Sequence, residues 1–173
     1  MDATEHRTRR VRIRFGLPAE HGWAPSAAEW LWAEEIAAGT YTILNAPFFQ
    51  YDIGVGDIVE AREQPHWEDA WDPFFRGPEE PHHLHYAGLA VDGRHDTFRA
   101  VVLQDGAFEG DPQRASDCFH GFGLWVEGAS WFPNPMFALD VPPDADLDAV
   151  VALLERHERE GAWMWEWSKR SGR

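Results

Sequence analysis

Residues 136–167 read MFALDVPPDADLDAVVALLERHEREGAWMWEW, and this stretch decides the fold class of the chain. Within it, the segment 146–160 carries apolar residues at the i, i+3, i+4, i+7 spacing of one helix face. These residues are Leu147, Val150, Val151 and Leu154. The apolar run 136–141 precedes the helix, and the alternating run 162–167 follows it, so the stretch predicts a strand, a helix and a strand in succession.

The same rhythm extends upstream of this stretch. Residues 95–103 are β-branched and apolar enough to predict a strand, 112–120 a short helix, and 124–132 another strand. The second half, residues 91–173, therefore reads β-α-β-β-α-β, which is the order of a ferredoxin-like unit.

The first half, residues 1–90, has shorter elements separated by glycine and proline. Segments 10–15, 40–44 and 57–61 have the alternating or β-branched composition of strands. Ser26 and Glu29 have the spacing of a capping box, which predicts a helix over 27–38. We expect a small bent sheet or partial barrel with one helix, in an α+β protein whose two halves form one compact unit.

The first predicted strand places arginines on one face. Arg10, Arg12 and Arg14 alternate with apolar residues, and the first 14 residues hold five arginines against two acids. Two interpretations remain open, since such a face either protects an edge strand from aggregation or contacts an acidic partner.

The segment 63–81 differs in composition from the rest of the chain. It has six acids, one base and four prolines, together with four aromatic residues. Prolines exclude a long helix or a central strand, and the aromatic content is too high for an ordinary disordered linker. We predict an insertion whose aromatic residues dock on the body of the protein or on a partner: Trp67, Trp71, Phe74 and Phe75.

Charge restricts the classes of partner. The chain has 173 residues with 15 Lys+Arg against 30 Asp+Glu, a formal net charge of −15. Such acidity argues against non-specific nucleic-acid binding and against binding to an anionic membrane surface. Nucleic-acid binding is therefore not expected unless a basic patch compensates, and the arginine-rich start of the chain is the only candidate for one.

The expected compartment is the cytoplasm. Cys118 is the only cysteine, so an intramolecular disulfide is impossible. The start of the chain lacks the apolar region of a secretory signal, and no run approaches the roughly 18 apolar residues of a membrane span.

Three ordered motifs carry a resemblance to a known family. They are LWAE at 31–34, YTILNAPFF at 41–49 and GDIVEA at 56–61. With them the chain resembles the bacterial domain-of-unknown-function family four-two-six-five. The resemblance implies a shared fold unit and no mechanism, and the 63–81 segment is longer and more acidic than the family pattern.

One predicted strand presents a candidate ligand-binding face. His95, Thr97 and Arg99 are two residues apart and share a face in an extended chain, with Glu127 expected on a neighbouring strand. They offer an imidazole, a hydroxyl and a cation that suits a carboxylate or phosphate. The alternative is structural, with Arg99 paired to one of the many acids.

Two further constellations have weaker support. His83 and His85 have the H-x-H spacing that zinc accepts, but no cysteine pair or HExxH motif accompanies them. Trp163, Trp165 and Trp167 share one face of the last strand. Their face either packs under the helices or forms an exposed interaction surface of hot-spot type.

No catalytic motif is recognisable, and no cofactor is expected. The leading hypothesis is a non-enzymatic binding module for a basic protein, for example an immunity protein that neutralises a cationic toxin. The alternative is a small-molecule-binding protein or an enzyme that uses His95, Thr97 and Arg99. The oligomeric state is left open by the sequence.

Overall fold

The computed structural model describes residues 9–18, 27–65, 82–130 and 134–172. The protein is α+β, with two sheets and two short helices. Within these ranges, neither helix is long and apolar enough to cross a membrane.

Five strands form a closed barrel in their chain order. They are β1 (Arg10–Gly16), β2 (Ala28–Ala37), β3 (Thr40–Ile43), β4 (Ile58–Pro65) and β5 (His82–Val91). Successive strands pair antiparallel. Because an odd number of strands alternates in direction, β1 and β5 run the same way, and they close the barrel as a parallel pair.

The predicted helix over 27–38 is wrong, because these residues form β2. Leu31 and Ala33 point into the barrel and are fully buried, whereas Trp32 faces outward and is 48% exposed. This alternation has the period of a strand. Pairing with both β1 and β3 outweighs the local helical signal, because local propensity is only a weak constraint on tertiary structure. The first half is thus a closed barrel without a helix in its described residues.

The barrel core is small and aliphatic. It is filled by inward-facing residues from β1, β2, β3 and β4 and by one residue of the β3–β4 connection: Ile13, Phe15, Leu31, Ala33, Tyr41, Ile43, Ile53, Val59 and Ala61. Tyr86 of β5 stacks on Phe15 with ring centroids 4.7 Å apart.

The second sheet has strand order β7-β8-β6-β9, and all its pairs are antiparallel. The strands are β6 (Asp96–Val102), β7 (Trp125–Ala129), β8 (Met136–Val141) and β9 (Trp163–Lys169). Between β6 and β7 lie α1 (Pro112–Ser116) and a 3₁₀ helix (Asp117–Phe122), and between β8 and β9 lies α2 (Leu147–Arg159). The predicted sequence of elements is therefore present, and when the 3₁₀ helix is counted with α1 no boundary shifts by more than three residues.

Helix α2 begins and packs as its sequence indicates. The Asp146 carboxylate accepts a hydrogen bond from the Ala149 N–H at 3.0 Å, which satisfies one of the orphan donors at the helix start. Val150 and Leu154 are fully buried against the sheet, where they join Phe119 of the 3₁₀ helix. Both helical segments thus cover one face of the second sheet.

The tryptophans of β9 lie on the face that the helices cover. Trp163 is fully buried, and its indole N–H donates to the Leu154 carbonyl at 3.0 Å. Trp165 and Trp167 are half-buried and pack on Phe98 in the same core. The packed alternative is therefore the correct one for this strand, and no exposed triplet of tryptophans exists.

Replacing Trp163 tests this packing. We expect Trp163→Ala to lower the free energy of unfolding by about 3–5 kcal/mol, because a large buried side chain leaves a cavity. Trp125, which is 65% exposed, is a matched control, and Trp125→Ala should change stability by less than about 1 kcal/mol. Urea unfolding measures both, and equal losses would contradict the assignment of the core.

Candidate functional site

A buried ion pair joins the barrel to the second sheet. The Lys169 ammonium at the end of β9 contacts the Asp57 carboxylate, which lies just before β4 and is fully buried. The same Lys169 Nζ lies 2.8 Å from Asp92 Oδ1, just after β5. Asp57 also accepts the N–H groups of Gly54 and Gly93, each at 2.8 Å. Both charges are therefore hydrogen-bonded, as burial requires.

The pair is packed against a close backbone approach at Gly54. A Cβ at this position would lie 2.6 Å from the Thr97 hydroxyl oxygen and 3.1 Å from Lys169 Cδ. Only glycine fits there without displacing β6 or Lys169. The Thr97 hydroxyl is itself buried and makes no hydrogen bond to the residues that the structure describes.

His95 is oriented by a carboxylate of the adjacent strand. Its Nδ1 lies 2.9 Å from both carboxylate oxygens of Asp140 on β8. Burial raises the pKa of the Asp140 carboxyl, while His95 and Lys169 act in the opposite direction. The arrangement orients an imidazole, as in many acid–base sites, but it lies beside the ion pair of Lys169 and belongs to the same junction.

Arg99 is held by contacts on both sides of the junction. It is 1% exposed; Nε donates to Glu166 Oε1 at 2.7 Å, and Nη1 donates to the Phe48 carbonyl at 2.9 Å. The guanidinium lies 4.0 Å from the ring centroid of Tyr51, whose hydroxyl donates to Glu166. These contacts correspond to the structural alternative for Arg99, a pairing with an acid.

The β3–β4 connection, which contacts Arg99 through Phe48 and Tyr51, is fixed on its barrel side by Glu29 of β2. Its carboxylate accepts the backbone N–H groups of Phe48, Phe49 and Gln50 at 2.6, 2.9 and 2.8 Å. Burial raises the pKa of Glu29, and these three donors and Arg99 oppose that effect. Glu29 is thus a long-range anchor for the β3–β4 connection instead of a helix cap.

The four predicted ligand-binding residues have different surroundings in or next to the second sheet. Thr97 and Arg99 share a face of β6, as expected, and both are covered. Glu127 of β7 lies in the same cross-strand row as Arg99, but Ala138 of β8 stands between them. Burial raises the pKa of Glu127, and the Trp125 indole, which donates at 3.0 Å, counteracts it.

A shallow groove lies beside this row. Its volume is about 230 Å³, and it is lined by Arg99, Val101, Met136, Met164 and Glu166, among others. This is smaller than the roughly 300–1,000 Å³ of typical ligand pockets. His95 does not line it, so the groove does not combine the imidazole with the guanidinium.

His83 and His85 lie on the outer surface of β5. The His83 ring makes an edge contact with Trp30, with centroids 5.0 Å apart. His85 is flanked by Arg14 on β1 and Arg62 on β4. Within the described ranges, no group of three or more His, Cys, Asp or Glu side chains is placed to hold a metal ion.

The predicted partner-contacting aromatic residues and the single cysteine lie elsewhere in the chain. Trp67, Trp71, Phe74 and Phe75 lie outside the described residues, as does most of the 63–81 segment. Cys118 is half-buried in the 3₁₀ helix, where burial raises the pKa of its thiol.

Sequence reasoning missed Glu29 as an anchor and Lys169 altogether. Lys169 is the only lysine in the chain, and the other 14 of the 15 Lys+Arg residues are arginines. That singularity is a visible signal, because a compact ammonium fits a confined site that a planar guanidinium does not. Glu29 carried no such signal, since its partners are 19 to 21 residues away.

Removing the ammonium tests the structural role of the junction. We expect Lys169→Met to lower the free energy of unfolding by about 3–5 kcal/mol, because Asp57 is left as an uncompensated buried charge. The double variant Asp57→Asn/Lys169→Met should recover part of this loss. Chemical denaturation measures both. Arg159→Met, at an exposed ion pair with Glu155, should lose less than about 1 kcal/mol; a similar loss in both single variants would refute the role.

The pH dependence of stability provides an independent test at Asp92. The hydrogen bond from Lys169 and the Arg94 N–H lower the pKa of Asp92 below its ordinary value of 3.8. This contribution is present above pH 3.8 and is lost as the pH falls through the folded pKa. The difference in Tm between wild type and Asp92→Asn should therefore be largest near neutral pH and should disappear at acidic pH. Asp105→Asn, at an exposed acid, is the control; a pH-independent difference at Asp92 would contradict the assignment.

Comparison with known proteins agrees with the fold and supplies a family. A crystal structure of a hypothetical protein from Neisseria gonorrhoeae is similar, with a TM-score of 0.66 and 15% sequence identity over 97% of this chain and 100% of that chain. No curated protein matches the sequence. The family described as domain of unknown function (DUF4265) matches residues 29–73 and 70–165. These matches span most of the chain, which therefore belongs to the DUF4265 family.

Proposed function

We propose that this chain is a non-enzymatic binding module that recognises a basic protein partner. The observation that carries the proposal is the unequal distribution of exposed charge over the second half of the molecule. An immunity-type role, in which the module neutralises a cationic protein, is one concrete form of this function.

The exposed residues of 105–120 and 144–160, here called the helical surface, are strongly acidic. They include three arginines, Arg114, Arg156 and Arg159, against nine carboxylates: Asp105, Glu109, Asp117, Asp144, Asp146, Asp148, Glu155, Glu158 and Glu160. Because both helical segments cover the same face of the sheet, these charges lie on one side of the second half. Complementary charge of this kind accelerates association and selects a cationic partner.

The buried titratable groups support binding over catalysis. Lys169 is shared by Asp57 and Asp92, His95 is held by Asp140, and Arg99 is held by Glu166. A catalytic or ligand-binding group must be able to contact a substrate, and these groups stabilise the contact between barrel and sheet. The shallow groove beside Arg99 offers little volume for the alternative of a small-molecule site.

We infer that the second half is a ferredoxin-like unit, which fits this function. The inference is supported by the element order from β6 to β9 and by the position of β6 between β8 and β9. In this arrangement the helices lie on one face of the sheet and leave their outer sides available to a partner.

Trp67, Trp71, Phe74 and Phe75 remain part of the proposal as partner-contacting residues. Their segment, 63–81, contains six of the 30 acids of the chain and only one base. Aromatic residues are enriched at the energetic centres of protein interfaces.

Affinity capture from the native host at low salt tests the function. Baits are the wild type, the helical-surface variant Asp148→Asn/Glu155→Gln, and the barrel control Glu60→Gln/Glu63→Gln, which removes the same charge from β4. We expect a basic protein to bind the wild type and the barrel control, to be reduced severalfold with the helical-surface variant, and to be released by salt.

Specific outcomes of this experiment would contradict the proposal. The proposal is overturned if no basic protein stays bound to the wild type in the presence of a competing acidic protein. Equal loss with both double variants assigns the interaction to net charge alone and overturns the helical surface as its site. Replacement of residues 66–81 by an Asn-Gly turn, which keeps the antiparallel pairing of β4 with β5, asks separately whether the four aromatic residues contribute. Unchanged capture would exclude them.

A further inference from the structure

The outer surface of the barrel carries a basic and aromatic face. Two cross-strand rows form it. In the first, Trp30 of β2 lies opposite Arg14 of β1, which pairs with His85 of β5, which in turn pairs with Arg62 of β4. The row thus places an aromatic ring, a guanidinium, an imidazole and a second guanidinium on four adjacent strands.

The second row lies two residues away and repeats the pattern. Trp32 of β2 lies opposite Arg12 of β1, and His83 of β5 lies opposite Gln64 of β4. Arg12 lies two residues before Arg14 in β1, and His83 lies two residues before His85 in β5. Side chains two residues apart on a strand share a face, so Arg12 and His83 also point outward. We call these eight residues the barrel face; none of them carries a carboxylate.

The cations of the barrel face are close enough to act together. Neighbouring strands lie about 4.8 Å apart, so Arg14, His85 and Arg62 form a continuous line of donors. Burial, and to a smaller extent Arg14 and His83, lower the pKa of His85. Three carboxylates border the face. Glu34 lies opposite Arg10, Glu60 lies two residues before Arg62, and the exposed Glu63 follows Arg62 directly in β4.

The aromatic component is accessible. Trp32 is 48% exposed, and the Arg12 guanidinium lies 5.2 Å from its ring centroid. A planar cation beside an exposed indole is the combination on which unstacked bases pack in single-stranded nucleic-acid sites, where a basic groove tracks the backbone.

We propose that the barrel face binds a single strand of nucleic acid, with phosphates on Arg12, Arg14 and Arg62 and a base stacked on Trp32. An acidic peptide matches the positive charge but gives no reason for two tryptophans in line with the arginines. The net charge of −15 does not exclude the site, because exposed charges farther away than about 8 Å are screened at physiological salt. The proposal is independent of the basic partner of the helical surface.

Fluorescence anisotropy with a labelled deoxythymidine oligomer of about 12 nucleotides tests the site. For three phosphate contacts, log K should fall against log salt with a slope of about −2, and Arg62→Ala should reduce that slope by about 0.7. Trp32→Ala should weaken binding about tenfold through lost stacking. Arg114→Ala and Trp125→Ala, exposed residues of the other half, are matched controls that should leave binding unchanged.

A second measurement reports on the site without relying on affinity. Bound phosphate beside His85 opposes the positive field of Arg14 and His83, so the His85 pKa, followed by NMR, should rise on addition of the oligomer. Trp30, the remaining neighbour in the row, does not titrate. An unchanged His85 titration at saturating oligomer would overturn the assignment to this face.

Other outcomes also decide the proposal. Absence of saturable oligomer binding at low salt overturns it. If thymidine monophosphate binds as tightly as the oligomer, the ligand is a free nucleotide and not a strand. If a polyglutamate peptide competes equally well, the ligand is an acidic protein. Circular dichroism of each variant confirms that a loss of binding is not a loss of fold.

Discussion

The buried contact of Lys169 with Asp57 and Asp92 is the constraint on which the relation between barrel and sheet depends. It joins three chain positions, the start of β4, the end of β5 and the end of β9. An ammonium removed from water requires compensating charge, and the barrel side supplies two carboxylates to the ammonium at the end of β9. The closed barrel and the second sheet are therefore held at one orientation by an interaction that neither half can form alone.

The second constraint is the path of the β3–β4 connection between two charged side chains. Glu29 fixes the backbone N–H groups of residues 48–50 from the barrel side, and Arg99 binds the Phe48 carbonyl from the sheet side. Each charge satisfies backbone groups that would otherwise be buried without a partner. Arg99 therefore stabilises the junction through its contacts with Glu166 and Phe48.

The sequence predicted the elements whose signals are local and failed where the partner is distant. Helix α2 was predicted because its apolar spacing and Asp146 cap lie within a few residues of each other. The helix predicted over 27–38 is wrong because these residues pair with β1 and β3. Glu29 accepts the N–H groups of residues 48–50 instead of capping a helix. The partner of Arg99, Glu166, follows from the register of β6 with β9, which no local pattern contains. Only the uniqueness of Lys169 was a usable signal for the junction.

The fold distributes the net charge of the chain unevenly over its surface. As a sum over the chain, −15 argues for basic partners and against nucleic acid. Folding separates that sum into an acidic helical surface and a barrel face of arginine, histidine and tryptophan, because β1 and β5 close the barrel beside each other. At physiological salt a ligand responds mainly to charges within about 8 Å, so the two surfaces present opposite local charge to an approaching molecule. The remaining negative charge acts mainly on the rate of approach, since long-range fields alter association kinetics more than the contacts made once bound.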